Sequence, residues 1–328
     1  MRREFLEFLR CPVCGNRFEL ASPEFDGSEI ETGYLKCTAS AEHTFPIARS
    51  IPRFAPPDNY ATNFGFQWTK FSRTQLDSHS GTQITRDRFF TSTGWRPPEL
   101  EGKRILDVGC GAGRFAEVAL SCGAEVVALD YSIAVDACWK NNRTKGDLHC
   151  VQGDIYHLPF APGSFDYVYC LGVLQHTPDV AAAFAALAKQ PKAGGRLAVD
   201  IYPKLWHNIA SGKDWIRPLT KRMDPLKLFR LVENVLVPLL LPVSRIIGRV
   251  PLLGRKLRRV IPVSNYEGVF PLNDAQLREW AVLDTYDMLA PAYDQPQNAN
   301  TLRSWFQKLG FQEVEVFKSG HLIGRGLR

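Results

Sequence analysis

The sequence predicts an α/β protein: a parallel sheet preceded by a small metal-binding unit and interrupted near its end by a basic helical insertion. Three observations predict this. An apolar strand, Ile105-Leu106-Asp107-Val108, runs through an acid into the turn Gly109-Cys110-Gly111-Ala112-Gly113-Arg114, and a helix-forming stretch, Phe115 to Leu120, follows. Four more apolar strands arrive in order over about 95 residues, the length scale on which α/β units repeat. Near the start, Cys11-Pro12-Val13-Cys14 is answered by Cys37 and His43.

The cysteines come first along the chain. Two thiolates on a tight knuckle, with a distant Cys and His, can close a tetrahedral zinc site from Cys11, Cys14, Cys37 and His43. Four protein ligands leave no open position, so such a zinc folds the unit and does not catalyse. On spacing alone another arrangement stays open, with His43 on the surface and Cys37 a buried thiol. Residues 1–57 carry seven basic and eight acidic side chains, nearly a balance. Residues 58–100 follow, with helices expected at Asn63-Phe64-Gly65-Phe66-Gln67-Trp68 and Arg86-Asp87-Arg88-Phe89-Phe90, placed to cover a ligand from the side opposite the sheet.

The glycine turn narrows the ligand class. A dinucleotide fingerprint reads G-x-G-x-x-G and presents helix N–H groups to a pyrophosphate. Here the run is G-x-G-x-G, Arg114 replaces the last glycine of that fingerprint, and Asp107 precedes it. The combination suits a nucleotide-like ligand with a cationic amino-acid moiety better than one with phosphates. Val126-Val127-Ala128-Leu129-Asp130 is the second strand, and a carboxylate at its tip can accept bonds from both ribose hydroxyls. Val151-Gln152-Gly153-Asp154, with Pro159-Phe160 beyond, ends a third strand where an adenine ring would lie. Ser164 to Leu171 forms the fourth and opens into Gly172-Val173-Leu174-Gln175-His176; Lys192 to Val199 supplies a turn and the fifth.

Over roughly Lys103 to Val199 these ordered landmarks resemble the class I S-adenosylmethionine-dependent methyltransferases. The resemblance implies a Rossmann-like seven-stranded methyltransferase sheet spanning residues 101–202 and 263–328. It further implies that Asp107, Gly109 and Gly111 hold the methionine portion of the donor, Asp130 the ribose and Asp154 the adenine amine, with Leu171 near the methionine end. The N-terminal cysteines, followed by Phe45-Pro46-Ile47 and Ile51-Pro52-Arg53-Phe54, resemble the zinc-ribbon domains found ahead of some methyltransferases and the small activator of tRNA and protein methyltransferases.

Composition agrees with several units and a real core, at 328 residues and 45% apolar content. Cys110, Cys122, Cys138, Cys150 and Cys170 show no pairing logic, and no signal peptide is recognised, so reduced thiols and a cytoplasmic setting are expected. No internal repeat or low-complexity tract occurs.

The basic charge is concentrated in one place. Residues 204–259 hold 13 Lys or Arg against Asp214, Asp224 and Glu233, a local +10 in a chain of net +6. Asp224 and Pro225 read as N-cap and first residue of a helix ending near Val237, before Pro238. Leu239-Leu240-Leu241-Pro242 and Pro251-Leu252-Leu253 continue the apolar pattern, in runs read as short of the roughly 20 residues that span a bilayer. This insertion, residues 203–262, is expected to form a lid. Its basic residues beside Trp206, Trp215 and Phe229 suit contact with an anionic membrane surface. A helix opened by Asn273 or Asp274, another capped by Asn300 and stopped by Gly310, and strands at Phe311–Phe317 and His321–Ile323 complete the chain.

Methyl transfer from a sulfonium requires alignment and exclusion of water, and a hydroxyl acceptor also benefits from a base. His176 follows the fourth strand on the correct edge, as base or as a loop contact. Asp284, Tyr286, Tyr202, His207 and His79 are weaker candidates with no motif to position them. The absence of an Asn/Asp-Pro-Pro-aromatic turn after the fourth strand argues against planar base amines. A small hydrophobic, lipid-linked or glycan-type acceptor, methylated on O or C, is the expectation. An rRNA or tRNA methyltransferase, which the zinc ribbon also resembles, and a non-catalytic partner subunit are the alternatives.

Overall fold

The computed structural model describes residues 1–56, 59–204, 212–250 and 254–328. Trp206, His207 and Pro251-Leu252-Leu253 lie outside the described residues, as do the side chains of Asp214, Arg255, Lys256 and Arg259.

Strands that are buried on both faces read as unbroken apolar runs. Largely apolar segments of this kind, broken by single polar residues, build the main sheet from β5 (Arg104–Val108), β6 (Glu125–Asp130), β7 (Leu148–Gln152), β8 (Phe165–Leu171) and the C-terminal part of β9 (Pro191–Ile201). The hairpin β10 (Gln312–Ser319) and β11 (His321–Leu327) completes seven strands in the order β7-β6-β5-β8-β9-β11-β10. All neighbouring pairs among β5 to β9 are parallel, and β11 is antiparallel to both β9 and β10. This is the expected Rossmann-like seven-stranded sheet. Register puts Asp107 beside Ala128 and Tyr169, and Leu171 beside Asp200, so the strand ends meet at one edge. Helices α5 (Arg114–Leu120), α6 (Ala134–Asn142), α7 (Val180–Leu187) and α13 (Ala299–Lys308) flank it. The cap of α13 is Asn298, whose Oδ1 accepts the Thr301 N–H at 2.8 Å. The expected cap, Asn300, lies inside the first turn.

The N-terminal unit is a four-stranded antiparallel sheet of β1 (Phe18–Asp26), β2 (Glu29–Cys37), β3 (Ser40–Ala48) and β4 (Ile51–Pro52). It shares one core with the main sheet: Phe5, Phe18, Ile30 and Leu35 belong to the same apolar cluster as Val151, Phe160 and Val168. Phe5 stacks on His149 of β7 at 4.1 Å, the Phe54 N–H donates to the Gln152 carbonyl at 2.7 Å, and Arg53 bridges to Gln152 in parallel fashion. The unit therefore seals β7, an edge strand of the main sheet. The bidentate pair of Arg53 with Asp136 on α6, at 2.7 and 3.1 Å, holds the seal.

Between the two sheets run α1 (Thr62–Lys70), α2 (Asp77–Ser80), α3 (Ile84–Thr93) and α4 (Pro97–Leu100), with α1 and α3 where helices were expected. The insertion comprises α8 (Gly212–Thr220), α9 (Pro225–Leu231), α10 (Val237–Gly248) and α11 (Gly254–Leu257), and leads to α12 (Asp274–Leu289), capped by Asn273, whose Oδ1 accepts the Gln276 N–H while its own N–H donates to Gln276 Oε1. Leu228, Val232, Val237 and Leu241 pack with Phe71 beyond α1 and with Tyr286 and Leu289 of α12.

Asp224 does cap α9, accepting the Lys227 N–H at 3.0 Å. The helix does not stop before Pro238, however. A π-helical turn, Val232–Leu236, joins α9 to α10, and Pro225–Gly248 is one helical run of 24 residues, long and apolar enough by length and composition alone to cross a membrane. The wide turn inserts one residue into the helical phase just ahead of the proline, where a missing N–H and a crowded carbonyl would otherwise break it. The reading of these apolar runs as too short is corrected accordingly.

Candidate functional site

The glycine turn, which joins β5 to α5, is held by the end of the neighbouring strand β6. Gly109 and Cys110 both donate N–H bonds to the Leu129 carbonyl, at 2.7 and 3.0 Å, and the Gly111 N–H donates to Asp130 Oδ2 at 2.8 Å. Asp130 Oδ1 accepts the N–H and the hydroxyl of Ser132 at 2.8 and 2.7 Å. Gly109 has φ +81°, and a Cβ there would lie 2.4 Å from Val173, so only glycine fits. At Gly111 a Cβ would crowd the Trp68 indole at 3.2 Å, which shows how closely α1 folds over the turn.

A cleft of about 970 Å³, counted to its open mouth, lies between the turn and α1. Gly109, Gly111, Asp130, Leu171 and His176, all singled out in the sequence, line it. Two expected residues stand elsewhere. Asp107 lies beneath the turn at 1% exposure, its Oδ2 unpartnered, and burial pushes its carboxyl well above the usual range. Asp154 caps the next turn, accepting the Tyr156 N–H at 3.0 Å, while its neighbours Gly153 and Ile155 form the wall. Tyr60, Phe64, Trp68, Arg114 and Asp287 complete contacts that sequence reading did not assign individually. Phe64 and Trp68 fall in the stretch expected to cover the ligand, and Arg114 was visible as the departure from the dinucleotide pattern.

His176 sits in a 3₁₀ turn, Leu174–His176, directly after β8. Its Nδ1 is 3.0 Å from the Tyr293 carbonyl, which can only accept, so the proton belongs on Nδ1 and Nε2 is the basic nitrogen. Phe64 and Tyr202 pack on the ring, at 5.1 and 5.5 Å. Burial lowers its pKa from the ordinary value, so the imidazole is neutral near pH 7.

Behind the cleft the structure gathers charged residues. The Arg88 guanidinium on α3 donates to Asp200 Oδ2 at 2.8 Å, and Asp200, at the end of β9, also accepts the Gly172 N–H. Burial alone would raise the Asp200 carboxyl; Arg88 and His321 outweigh it and hold the group low. Arg114 bonds Gln75, and burial with the nearby Arg88 charge pulls its pKa down to about 10. Asp284 accepts from Gln75 at 3.3 Å and from the Tyr266 hydroxyl, and burial raises it to about 6. Tyr286 packs in the core beneath the insertion, and His79 lies on the short α2, so neither joins the cleft wall. Asp200 carried a usable signal, an acid at the carboxyl end of a parallel strand like Asp107 and Asp130.

The second cluster is at the N-terminal sheet. Cys11, Cys14, Cys37 and His43 place their ligand atoms within 4.8 Å of one another. Cys14 and Cys37 sulfurs are 3.4 Å apart, and Cys11 Sγ is 3.6 Å from His43 Nδ1. Zinc–sulfur bonds of about 2.3 Å in a tetrahedron need edges of this size. Hydrogen bonds from Asn16, then from Cys37, draw the exposed Cys14 thiol down to about 6, toward the thiolate a metal requires. None of the eight cysteines forms a disulfide.

Comparison with known proteins finds a family match within the main sheet. Residues 106–199 match the family described as a methyltransferase domain. An uncharacterized protein from Synechococcus sp. is 28% identical over 246 residues, covering 70% of this chain and 53% of its own length. The ubiquinone biosynthesis O-methyltransferase of Thiobacillus denitrificans is 38% identical over 101 residues, covering 29% of this chain and 43% of its own. The chain thus spans about half the length of the curated relatives it matches. Among solved structures, the magnesium protoporphyrin IX methyltransferase of Synechocystis PCC 6803 aligns with 82% of this chain and 96% of its own, at 17% identity and a TM-score of 0.43. The match to a methyltransferase domain, residues 106–199, thus spans the turn, the parallel strands and most of the sheet-side wall of the cleft described above.

Proposed function

We propose that the chain transfers a methyl group from S-adenosylmethionine to a hydroxyl of a small hydrophobic acceptor, lipid-linked or glycan-type, with His176 as general base. The observation that carries the reading is the fixed tautomer of His176: its Nδ1 is committed to Tyr293, and the residue lines the same cleft as Gly109, Gly111 and Asp130. The cleft suits the donor. Asp130 offers a carboxylate at the position of the ribose hydroxyls, Gly109 and Gly111 admit close backbone approach, and Leu129, Ile155 and Leu171 supply apolar wall for adenine and methylene groups. Bound there, the donor supplies a methyl carbon already activated by the sulfonium.

The protein then has three tasks. The cover of Phe64 and Trp68 excludes water, the wall beside Gly172 seats the acceptor oxygen, and His176 Nε2 takes the acceptor proton as the oxygen–carbon bond forms and the carbon–sulfur pair returns to sulfur. The similarity to enzymes named ubiquinone biosynthesis O-methyltransferase supports a hydroxyl acceptor of low polarity. We further assign a structural zinc to Cys11, Cys14, Cys37 and His43, in a ribbon-like unit whose four ligands leave no open position.

The test has two arms. The zinc-loaded protein is titrated calorimetrically with S-adenosylhomocysteine, then incubated with radiolabelled donor and either an organic-solvent extract or total RNA. Binding with label in the organic extract supports the reading. Label in RNA replaces the acceptor class. Absence of binding moves the partner-subunit reading to the front.

A further inference from the structure

The helix Pro225–Gly248 is apolar on two sides, and only one of them is used by the fold. Leu228, Phe229 and Val232 face the core on α9; after the π turn, Val237, Leu241 and Ser244 do so. A straight α-helix would have carried the buried face from Val232 to about Leu236 and Leu239. The extra residue of the π turn delays it by one, and that delay turns Leu239 outward. Val235, Leu239, Val243, Ile246 and Val250 consequently form one exposed row at spacings of three and four residues. Leu239 is 65% exposed and Ile246 68%. From Asn234 to Ser244 there is no charged residue at all.

Charge frames this row on the side where the helix begins. Lys221, Arg222, Lys227 and Arg230 are exposed, and among the described residues none has a carboxylate within ion-pair distance. At the far end of the helix Arg245 and Arg249 are tied to Glu267, so among the described residues of Pro225–Gly248 the cations without an ion-pair partner are those of α9. The preceding helix, α8, also turns apolar groups outward, Trp215 at 67% and Leu219 at 75%. Such a row, flanked by unpaired cations and exposing large side chains to water, matches an interfacial helix better than a solvated lid.

We propose that the face of α8 to α10 bearing Leu239, Val243 and Ile246 docks on an anionic lipid bilayer, lying in its interface. Charge complementarity selects the occupant: polybasic segments beside apolar side chains are drawn to anionic headgroups, and the apolar row then enters the acyl boundary. Spanning is disfavoured because the opposite side is committed to the protein core, through Leu228, Val232, Val237 and Leu241. The docked element is also wired to the cleft. Arg217 of α8 binds Asp294 at 2.9 Å and the Pro291 carbonyl at 2.9 Å, and Thr220 binds the Leu289 carbonyl at 3.0 Å. These bonds hold the loop whose Tyr293 carbonyl fixes His176. A bilayer-dissolved acceptor would therefore be presented beside the base. That route rests on the acceptor reading above; the docking itself does not.

The experiment is flotation of the full, zinc-loaded chain with vesicles of equimolar phosphatidylcholine and phosphatidylglycerol, and with phosphatidylcholine alone. The protein is expected to float with the anionic vesicles and to be released by high salt. The double variant Leu239→Glu/Ile246→Glu should lower the bound fraction at least about tenfold, and Lys227→Gln/Arg230→Gln should weaken it and flatten its salt dependence. Both variants change exposed residues, and unaltered melting and S-adenosylhomocysteine affinity will show that fold and donor site are intact. Absence of flotation, or flotation that the glutamates leave unchanged, overturns the proposal. So does a concentration-dependent dimer abolished by the same glutamates, which would make a second copy the occupant. Resistance to salt and alkaline extraction would replace docking by insertion. Loss of donor-product binding in the parent protein would instead strike the methyl-transfer reading and leave the flotation result standing.

Discussion

His176 and Tyr293 are bound through the imidazole Nδ1 and a main-chain carbonyl at 3.0 Å, a contact that joins the turn after β8 to the loop after α12 across 117 residues of chain. A neutral imidazole with its tautomer fixed is the form a general base needs, and this contact supplies it without a carboxylate partner.

Replacing His176 with Ala is expected to lower kcat by about 10²–10⁴-fold while leaving S-adenosylhomocysteine affinity nearly unchanged. The pH profile carries the sign. Burial lowers the His176 pKa, and the neutral form is the active one, so the parent rate is expected to fall on the acid side of a midpoint lower than that of a free imidazole. The variant should lose that acidic limb. An unchanged rate and profile would remove the residue from the chemistry.

At Asp130 the expected effect is on binding. The carboxylate accepts three protein bonds and stands at the cleft wall, so Asp130→Ala removes both an anchor for the glycine turn and a partner for ribose hydroxyls. A loss of about 1.5–3 kcal/mol, tenfold to a hundredfold or more in affinity, is expected by calorimetry. Gly109→Ala should weaken binding without removing a charge, since the position has φ +81° and its Cβ would meet Val173 at 2.4 Å.

Metal analysis is expected to find one zinc per chain, lost on Cys37→Ser or with a strong chelator. The melting temperature should fall, by about 2–4 °C for each kcal/mol of stabilisation removed. A metal-free protein with an unchanged melt would refute the zinc assignment.

The Arg53–Asp136 pair gives a pH-dependent stability. Burial raises the Asp136 carboxyl, but bonds from Arg53 and Arg49 outweigh it and the net pKa lies below the ordinary value. A depressed carboxylate stabilises the fold above the unfolded-state value and loses that contribution as pH falls through the folded one. Asp136→Asn should therefore cost about 1–2 kcal/mol at pH 7, with a difference that shrinks below about pH 4. Thermal melts across that range measure it.

The sheet was readable because the strands of the parallel layer are largely apolar and closed by polar or glycine-containing turns, and because Asp107 and Asp130 mark strand ends. The gathering of Cys11, Cys14, Cys37 and His43 was readable from spacing, since a C-x-x-C knuckle brings two thiols together before folding. Less was legible where long-range geometry decides. Asp154 has the expected place in the sequence, yet it is Gly153 and Ile155 on either side that line the cleft, while Asp154 Oδ1 accepts the Tyr156 N–H of the local turn. Arg88 and Asp200 are 112 residues apart and meet only because α3 lies against the end of β9. The helix through Pro238 defeats local rules outright, because a π turn costs little when both halves are packed on α12 and cannot be seen in periodicity fitted to 3.6 residues.

The covering of β7 by the N-terminal sheet has a consequence for solubility. An uncovered parallel edge would present a row of unpaired N–H and carbonyl groups, flanked by Val151 and Leu148, to any other chain. Here Phe54, Arg53 and Phe5 occupy that edge, and the cysteine cluster stands in the unit that supplies them. Oxidation or stripping of those thiols would then be felt first as self-association of otherwise folded protein, visible as light scattering well before the cleft loses its shape.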